Sequence, residues 1–168
     1  MAEMRHPSGA KVYLNPVVDC FDGRPADWGI GLRPSAAVAD AALERACGAL
    51  LPGERPCVHS DRGVHYRTAS WIARCESHGL RRSMSRKGMS CDNARAEGFF
   101  GPLKQEFYYA RGWTGTTLGE FAGPLDAWME WYRSGRISQR LGWMTPDERR
   151  AAMDYAVQDA RENVRSPV

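Results

Sequence analysis

The chain has 168 residues, about the length of one ordinary domain and enough to bury roughly 70% of its unfolded surface. Apolar residues at 43% and charged residues at 26% exclude a disordered, collagen-like or coiled-coil polypeptide. The formal charge is only +3, no apolar run reaches the ~18 residues of a membrane span, and residues 1–6 (MAEMRH) lack the apolar core of a signal peptide. Composition predicts one soluble, cytoplasmic domain.

In chain order, Lys11 to Phe21 is rich in Val, Tyr and Leu and reads as a strand, with Pro16 marking a bulge or an edge position. Asp22-Gly23-Arg24-Pro25 is a turn, and Trp28 to Leu32 the short second strand of the hairpin. Ser35 is a good N-cap for a helix with Val38, Ala41, Ala42, Leu43 and Ala46 on one face, stopped by Pro52-Gly53. Pro56 to His59 is a short strand ending at Ser60-Asp61, so its C-terminal tip carries a carboxylate. Thr68 to His78 is helical, with Gly79 after it, and Leu80 to Met84 is a further strand.

Ser85 to Cys91 has turn composition and reads as a loop. Asp92 to Tyr109 is predicted as one helix, with Ala96, Phe99, Phe100, Leu103 and Phe107 at helical spacing, and Leu118 to Tyr132 as another. Phe99, Phe100, Phe107, Trp128, Trp131 and Tyr132 are expected to pack the core. Asp147 to Asn163 is a polar C-terminal helix, set apart as 147–168 from a core over 1–146. Alternating strands and helices define an α/β domain with a mixed sheet.

The five cysteines form no C-x-x-C pair, which argues against structural zinc or a disulfide framework; Cys47 and Cys75 fall in helical patterns as small buried hydrophobes. Charge is uneven. Between Arg62 and Ala96 eight basic residues face two acidic ones. Such an excess suits a polyanion such as nucleic acid, or a solvated basic face, and composition leaves both open. No G-x-G-x-x-G or G-x-x-x-x-G-K-[ST] stretch points to a nucleotide cofactor.

Two segments carry chemistry: His59-Ser60-Asp61-Arg62-Gly63, and Asp92-Asn93-Ala94-Arg95-Ala96-Glu97-Gly98-Phe99-Phe100. Two carboxylates converging at a sheet edge repel by about 4 kcal/mol at ~4 Å and an effective dielectric of ~20. A divalent cation turns that penalty into binding, and oxygen-only ligands suit Mg²⁺ or Mn²⁺. The separation alone proves nothing. Asp40 with Glu76 and Asp126 with Glu162 share the spacing of Asp61 with Glu97.

The neighbouring residues are specific. Val58 to Tyr66 (VHSDRGVHY), Ser83 to Gly88 (SMSRKG), Asp92-Asn93-Ala94, Glu97 to Lys104 (EGFFGPLK), Trp131-Tyr132, and Leu141-Gly142 with Met144-Thr145-Pro146 occur in order. Over Lys11 to Pro146 the chain resembles the catalytic core of insertion-sequence transposases of the retroviral-integrase-like type. The resemblance implies a ribonuclease H-like mixed sheet flanked by helices and an Asp, Asp, Glu triad, with Asp61 the second and Glu97 the third metal-binding catalytic carboxylate. It implies Mg²⁺ or Mn²⁺ in a two-metal arrangement. Lys104, Asn93, Arg86 and Lys87 would contact DNA.

The implied reaction is hydrolytic nicking at the element's ends, then attack of the freed 3′-hydroxyl on target DNA. The implied partners are DNA, further copies of the chain on DNA, and a separately encoded N-terminal DNA-recognition polypeptide, with no membrane role.

Two departures qualify the resemblance. Counting back from Asp19 places the family's first Asp at or just before Met1, and residues 1–10 hold none. The expectation is therefore a core truncated at its N-terminus, its first strand incomplete or missing and its chemistry impaired. A non-catalytic DNA-binding or interfering remnant is the alternative. Asp19 and Asp22 read as strand-end and turn acids rather than replacements. The second departure is Arg133, where the family usually has Asn.

Overall fold

The computed structural model describes residues 1–86 and 94–154, with backbone alone at 94–97. The stretch expected to hold an incomplete or missing first strand contains a four-residue one, β1 (Ala2–Arg5). It pairs antiparallel with β2 (Lys11–Val18), Ala2 opposite Leu14 and Arg5 opposite Lys11. β2 pairs antiparallel with β3 (Pro25–Gly31), which starts three residues earlier than its apolar run suggests. The register slips between Val17 and Val18, just past Pro16, as the proline predicted. Alternation along β2 sends Val12 and Leu14 into the core beside Met4.

Helix α1 (Ala36–Cys47) starts where Ser35 accepts a hydrogen bond from the Ala37 N–H at 3.1 Å. It lies so close to β3 that a Cβ on Gly29 would fall 2.6 Å from the Val38 carbonyl, so only glycine fits there. β4 (Cys57–Ser60) and β5 (Arg81–Met84) form a separate parallel pair, Cys57 opposite Arg81 and Ser60 opposite Met84. The crossover a parallel pair needs is supplied by a 3₁₀ turn (Val64–Arg67) and α2 (Ala69–Ser77), capped by the Thr68 hydroxyl. Cys47 and Cys75 sit between α1 and α2 as expected, and burial pushes both thiols up.

The predicted helix over 92–109 is interrupted. α3 (Ala94–Pro102) passes into a π-helical turn (Leu103–Tyr108), where the Tyr109 N–H reaches back five residues to the Lys104 carbonyl. Pro102 has no N–H to donate and its ring crowds the preceding turn, so the ladder widens there.

α4 (Leu118–Ser134) opens on a full capping box between Thr117 and Glu120. Phe99, Phe107, Phe121, Leu125 and Trp128 then build an aromatic core under the antiparallel sheet. Trp131 breaks from the expected set: it is 45% exposed, because α4 turns Trp128 and Tyr132 inward and leaves the position between them to solvent.

A helix over 146–154 fits the start of the predicted C-terminal helix, whose remainder falls outside the described residues. It is tied to the β2–β3 turn by charge. Asp22, whose side chain is wholly buried, accepts from the Arg24 N–H and from Arg150, which also pairs with Asp19 at 2.6 Å. Asp19 thus stands at the end of β2 and Asp22 in the turn, as read from sequence. Arg133 pairs with Asp147 and Glu130 and stacks on Trp28, so a charge at this position has partners.

Partial burial alone would raise the Asp19 carboxyl. The Arg150 and Phe21 N–H hydrogen bonds and the charges of Arg150 and Arg24 outweigh it and hold the group below its ordinary value. A depressed carboxyl stabilises the fold above the unfolded-state value near pH 4, and that contribution is lost as pH falls through the folded-state value. Arg150→Ala is expected to lower the urea midpoint at neutral pH and to make its decline toward pH 3 shallower. Parallel curves for the two proteins would contradict this.

Candidate catalytic and nucleic-acid-binding site

Asp61 follows the last residue of β4, as its position after a short apolar run predicts. Its Oδ1 accepts from the Gly63 N–H at 2.7 Å, closing a tight turn. A Cβ on Gly63 would lie 2.8 Å from that oxygen, so the glycine keeps the carboxylate in place. Among the described residues, Asp61 Oδ2 takes no hydrogen bond.

The surroundings of Asp61 are partly buried and polar. The Tyr66 hydroxyl accepts from the Met1 ammonium at 2.9 Å and donates to Asn15 Oδ1. Burial pushes the Tyr66 phenol far above its ordinary range, and the Asp61 charge adds to the shift. Burial lowers the Met1 ammonium, with Asp61 acting against it. The carboxylate's field therefore reaches the start of β1.

His59 bridges the two parallel strands, Nδ1 to the Ser83 hydroxyl and Nε2 to the Ser85 hydroxyl, both at 3.0 Å. Its role here is structural. The Ser85 N–H donates to the Ser60 carbonyl and the Arg62 side chain to the Ser85 carbonyl, so the strand tips beside Asp61 are cross-linked. Sequence reasoning included Tyr66, Ser83 and Ser85 in motifs without giving them a role, and passed over Asn15. The i, i+2 spacing of Ser83 and Ser85 on one strand face was the available signal.

A cavity of about 840 Å³ opens between the sheets and brings Asp61 together with Lys104 on the π turn, and with Asn15, Tyr66 and Phe100. Glu97 lies on α3, two turns before Lys104, and its side chain is outside the described atoms. Asn93 and Lys87 lie outside the described residues; Arg86 is exposed just before them. Among the described residues no three His, Cys, Asp or Glu side chains converge as a metal site.

Of the basic stretch, Arg74 is taken up by Glu44 and Asp40, and Arg62 by backbone, while Arg67, Arg81 and Arg82 are exposed. No helix among the described residues is long and apolar enough to cross a membrane.

Comparison with known proteins gives the family. The family described as integrase core domain matches residues 2–90, and a second integrase core domain description matches 78–146. The chain belongs to the integrase core domain family.

Its sequence is similar to those of insertion-sequence transposases. It is 48% identical over 153 residues to a probable transposase for insertion sequence element IS1353 of Shigella flexneri, covering 91% of this chain and 30% of that protein. It is 37% identical over 143 residues to the putative transposase InsK for IS150 of Escherichia coli K12, covering 85% and 50%. The chain thus spans half or less of these relatives.

Among solved structures, the HTLV-2 integrase catalytic core in complex with magnesium (trimeric form) superposes with a TM-score of 0.61 at 13% identity, covering 88% of this chain and 89% of that one. The fold is that of retroviral integrase cores, a ribonuclease H-like α/β architecture, as the sequence implied.

Proposed function

We propose that this chain acts in DNA transposition as an integrase-like core, nicking element ends and joining the freed 3′-hydroxyl to target DNA. The observation that carries the reading is the shared cavity of Asp61 and Lys104, an acid and a base on elements far apart in sequence. A carboxylate with one oxygen held by backbone and the other without a hydrogen bond among the described residues is the hard donor that Mg²⁺ or Mn²⁺ takes, so Asp61 fits a divalent cation. Glu97 on α3 would be its companion. When bound, such a cation supplies charge at the scissile phosphate and acidifies the attacking hydroxyl.

The chain's own residues do the rest. Lys104 holds phosphate across the cavity, with Arg86, Lys87 and Asn93 extending the contact along the backbone. The Gly63 N–H and the His59 bridge keep Asp61 oriented. DNA is the proposed substrate and copies of this chain the proposed partners on it. A separately encoded N-terminal polypeptide would supply recognition of the element's ends, in the bacterial nucleoid.

The test is Mn²⁺-dependent nicking of labelled duplex DNA, with Glu97→Gln as control. Cleavage that disappears in Glu97→Gln supports the proposal. Binding without cleavage in the unsubstituted chain would favour a DNA-binding remnant with impaired chemistry.

A further inference from the structure

The loop between α4 and the helix over 146–154 is fixed by backbone bonds. The Ser138 N–H donates to the Met144 carbonyl and the Trp143 N–H to the Ser138 carbonyl, both at 3.0 Å. A 3₁₀ turn (Gln139–Leu141) lies inside this closure, and Leu141 is buried as its anchor. Thr145 and Glu148 then cap the following helix reciprocally.

The turn so defined puts Gly142 at φ 73° and Trp143 at φ 64°. Glycine suits that left-handed region, whereas a bulky side chain is strained in it. Among the described residues no other non-glycine residue takes a positive φ. Trp143 is also 70% exposed, so the strain brings the fold little burial. What it does is hold an indole out in solvent.

The surroundings are cationic. Arg140, exposed on the same loop, reaches the β2–β3 turn: its Nη2 lies 3.4 Å from the Asp22 carbonyl oxygen, and a Cβ on Gly23 would fall 2.9 Å from it. That turn carries a second ring in solvent, Phe21 at 59% exposure. Neither Arg140 nor Arg149 of the following helix meets a carboxylate among the described residues. The neighbouring acids are engaged: Asp147 with Arg24 and Arg133, Glu148 in its capping box, Asp19 and Asp22 with Arg150.

We propose that Trp143, with Phe21 and Arg140, forms a stacking site for single-stranded DNA. An unpaired base offers a π-face to an exposed ring, and its phosphate meets the guanidinium beside it. Bases within a duplex already stack on one another and gain nothing here. A protein partner would favour a contiguous apolar patch, but these rings stand among arginines. The inference rests on the DNA-processing reading and adds an unpaired strand, such as one opened beside a nick, to what the chain holds.

The test is metal-free binding of a labelled oligo(dT) of about 12 nucleotides, and of a duplex of equal length, to the full chain and to its Trp143→Gly and Trp143→Phe variants. Glycine accepts the left-handed backbone without strain, so the melting temperature of Trp143→Gly should hold or rise. Oligo(dT) affinity is expected to fall about tenfold in Trp143→Gly and to return in Trp143→Phe, with duplex affinity unchanged in both. Undiminished oligo(dT) binding by Trp143→Gly, or equal losses for oligo(dT) and duplex, would overturn the stacking site. Duplex binding without oligo(dT) binding in the unsubstituted chain would overturn this site alone, and failure of both ligands would overturn the DNA reading with it. Dimers in sedimentation that vanish in Trp143→Gly would overturn the assigned ligand in favour of a second copy.

Discussion

Asp61→Asn is expected to abolish Mn²⁺-dependent nicking while leaving DNA binding equal to that of the unsubstituted chain, or slightly stronger. The substitution is nearly isosteric, and the amide oxygen can still accept from the Gly63 N–H that Asp61 Oδ1 engages at 2.7 Å, so the β4 tip keeps its shape. What disappears is the charge. Loss of one cation ligand should lower the rate at least about a hundredfold, or about 2.7 kcal/mol of transition-state stabilisation. Binding does not suffer, because removing a negative group from the cavity that Lys104 also lines makes that cavity more attractive to phosphate.

Circular dichroism of Asp61→Asn checks that the β4 tip keeps its fold. Nicking at the unsubstituted rate by a folded Asp61→Asn protein would remove Asp61 from the chemistry.

Much of this site was legible because its parts are local. Ser35 and Thr68 cap helices by bonds to backbone within three residues, and an acid at the end of a short apolar run followed by Arg-Gly marks a strand tip. The family motifs then singled out one strand tip as the candidate. Other features left no local trace. Arg150 lies 128 residues from Asp22, and nothing near either residue announces the pair.

The π turn needed Pro102 to act on a register already set by Phe99, Leu103 and Phe107, a conflict that apolar periodicity does not reveal. Trp131 has the composition of a core residue, yet its helix faces the sheet with Trp128 and Tyr132.

Phe121→Ala should be among the most damaging single changes in the chain. The ring is fully buried and meets Trp113 at 4.6 Å, Phe107 at 5.6 Å and His6 at 5.9 Å between centroids. Truncation leaves a cavity on all three sides, at a cost of about 3–5 kcal/mol for a buried Phe. His6 would also lose a packing partner. Its ring is pinned by Ser8 and Thr116, joining the β1–β2 turn to the segment before α4. For a chain of this size the change corresponds to a fall in melting temperature of roughly 10 °C.

The effect should extend to function through packing. Phe107 belongs to the π turn that presents Lys104, and Tyr108 of the same turn donates to the Arg5 carbonyl of β1. Loosening that junction shifts Lys104 in the cavity it shares with Asp61, so, on the proposed function, DNA binding should weaken at temperatures where the protein is still folded. Trp131→Ala supplies the contrast: a half-exposed aromatic should cost about 1 kcal/mol, well below Phe121→Ala, and leave binding unchanged. Thermal melts with binding measured well below each transition separate the two cases. Equal losses in both variants would mean that Lys104 does not depend on this core for its position.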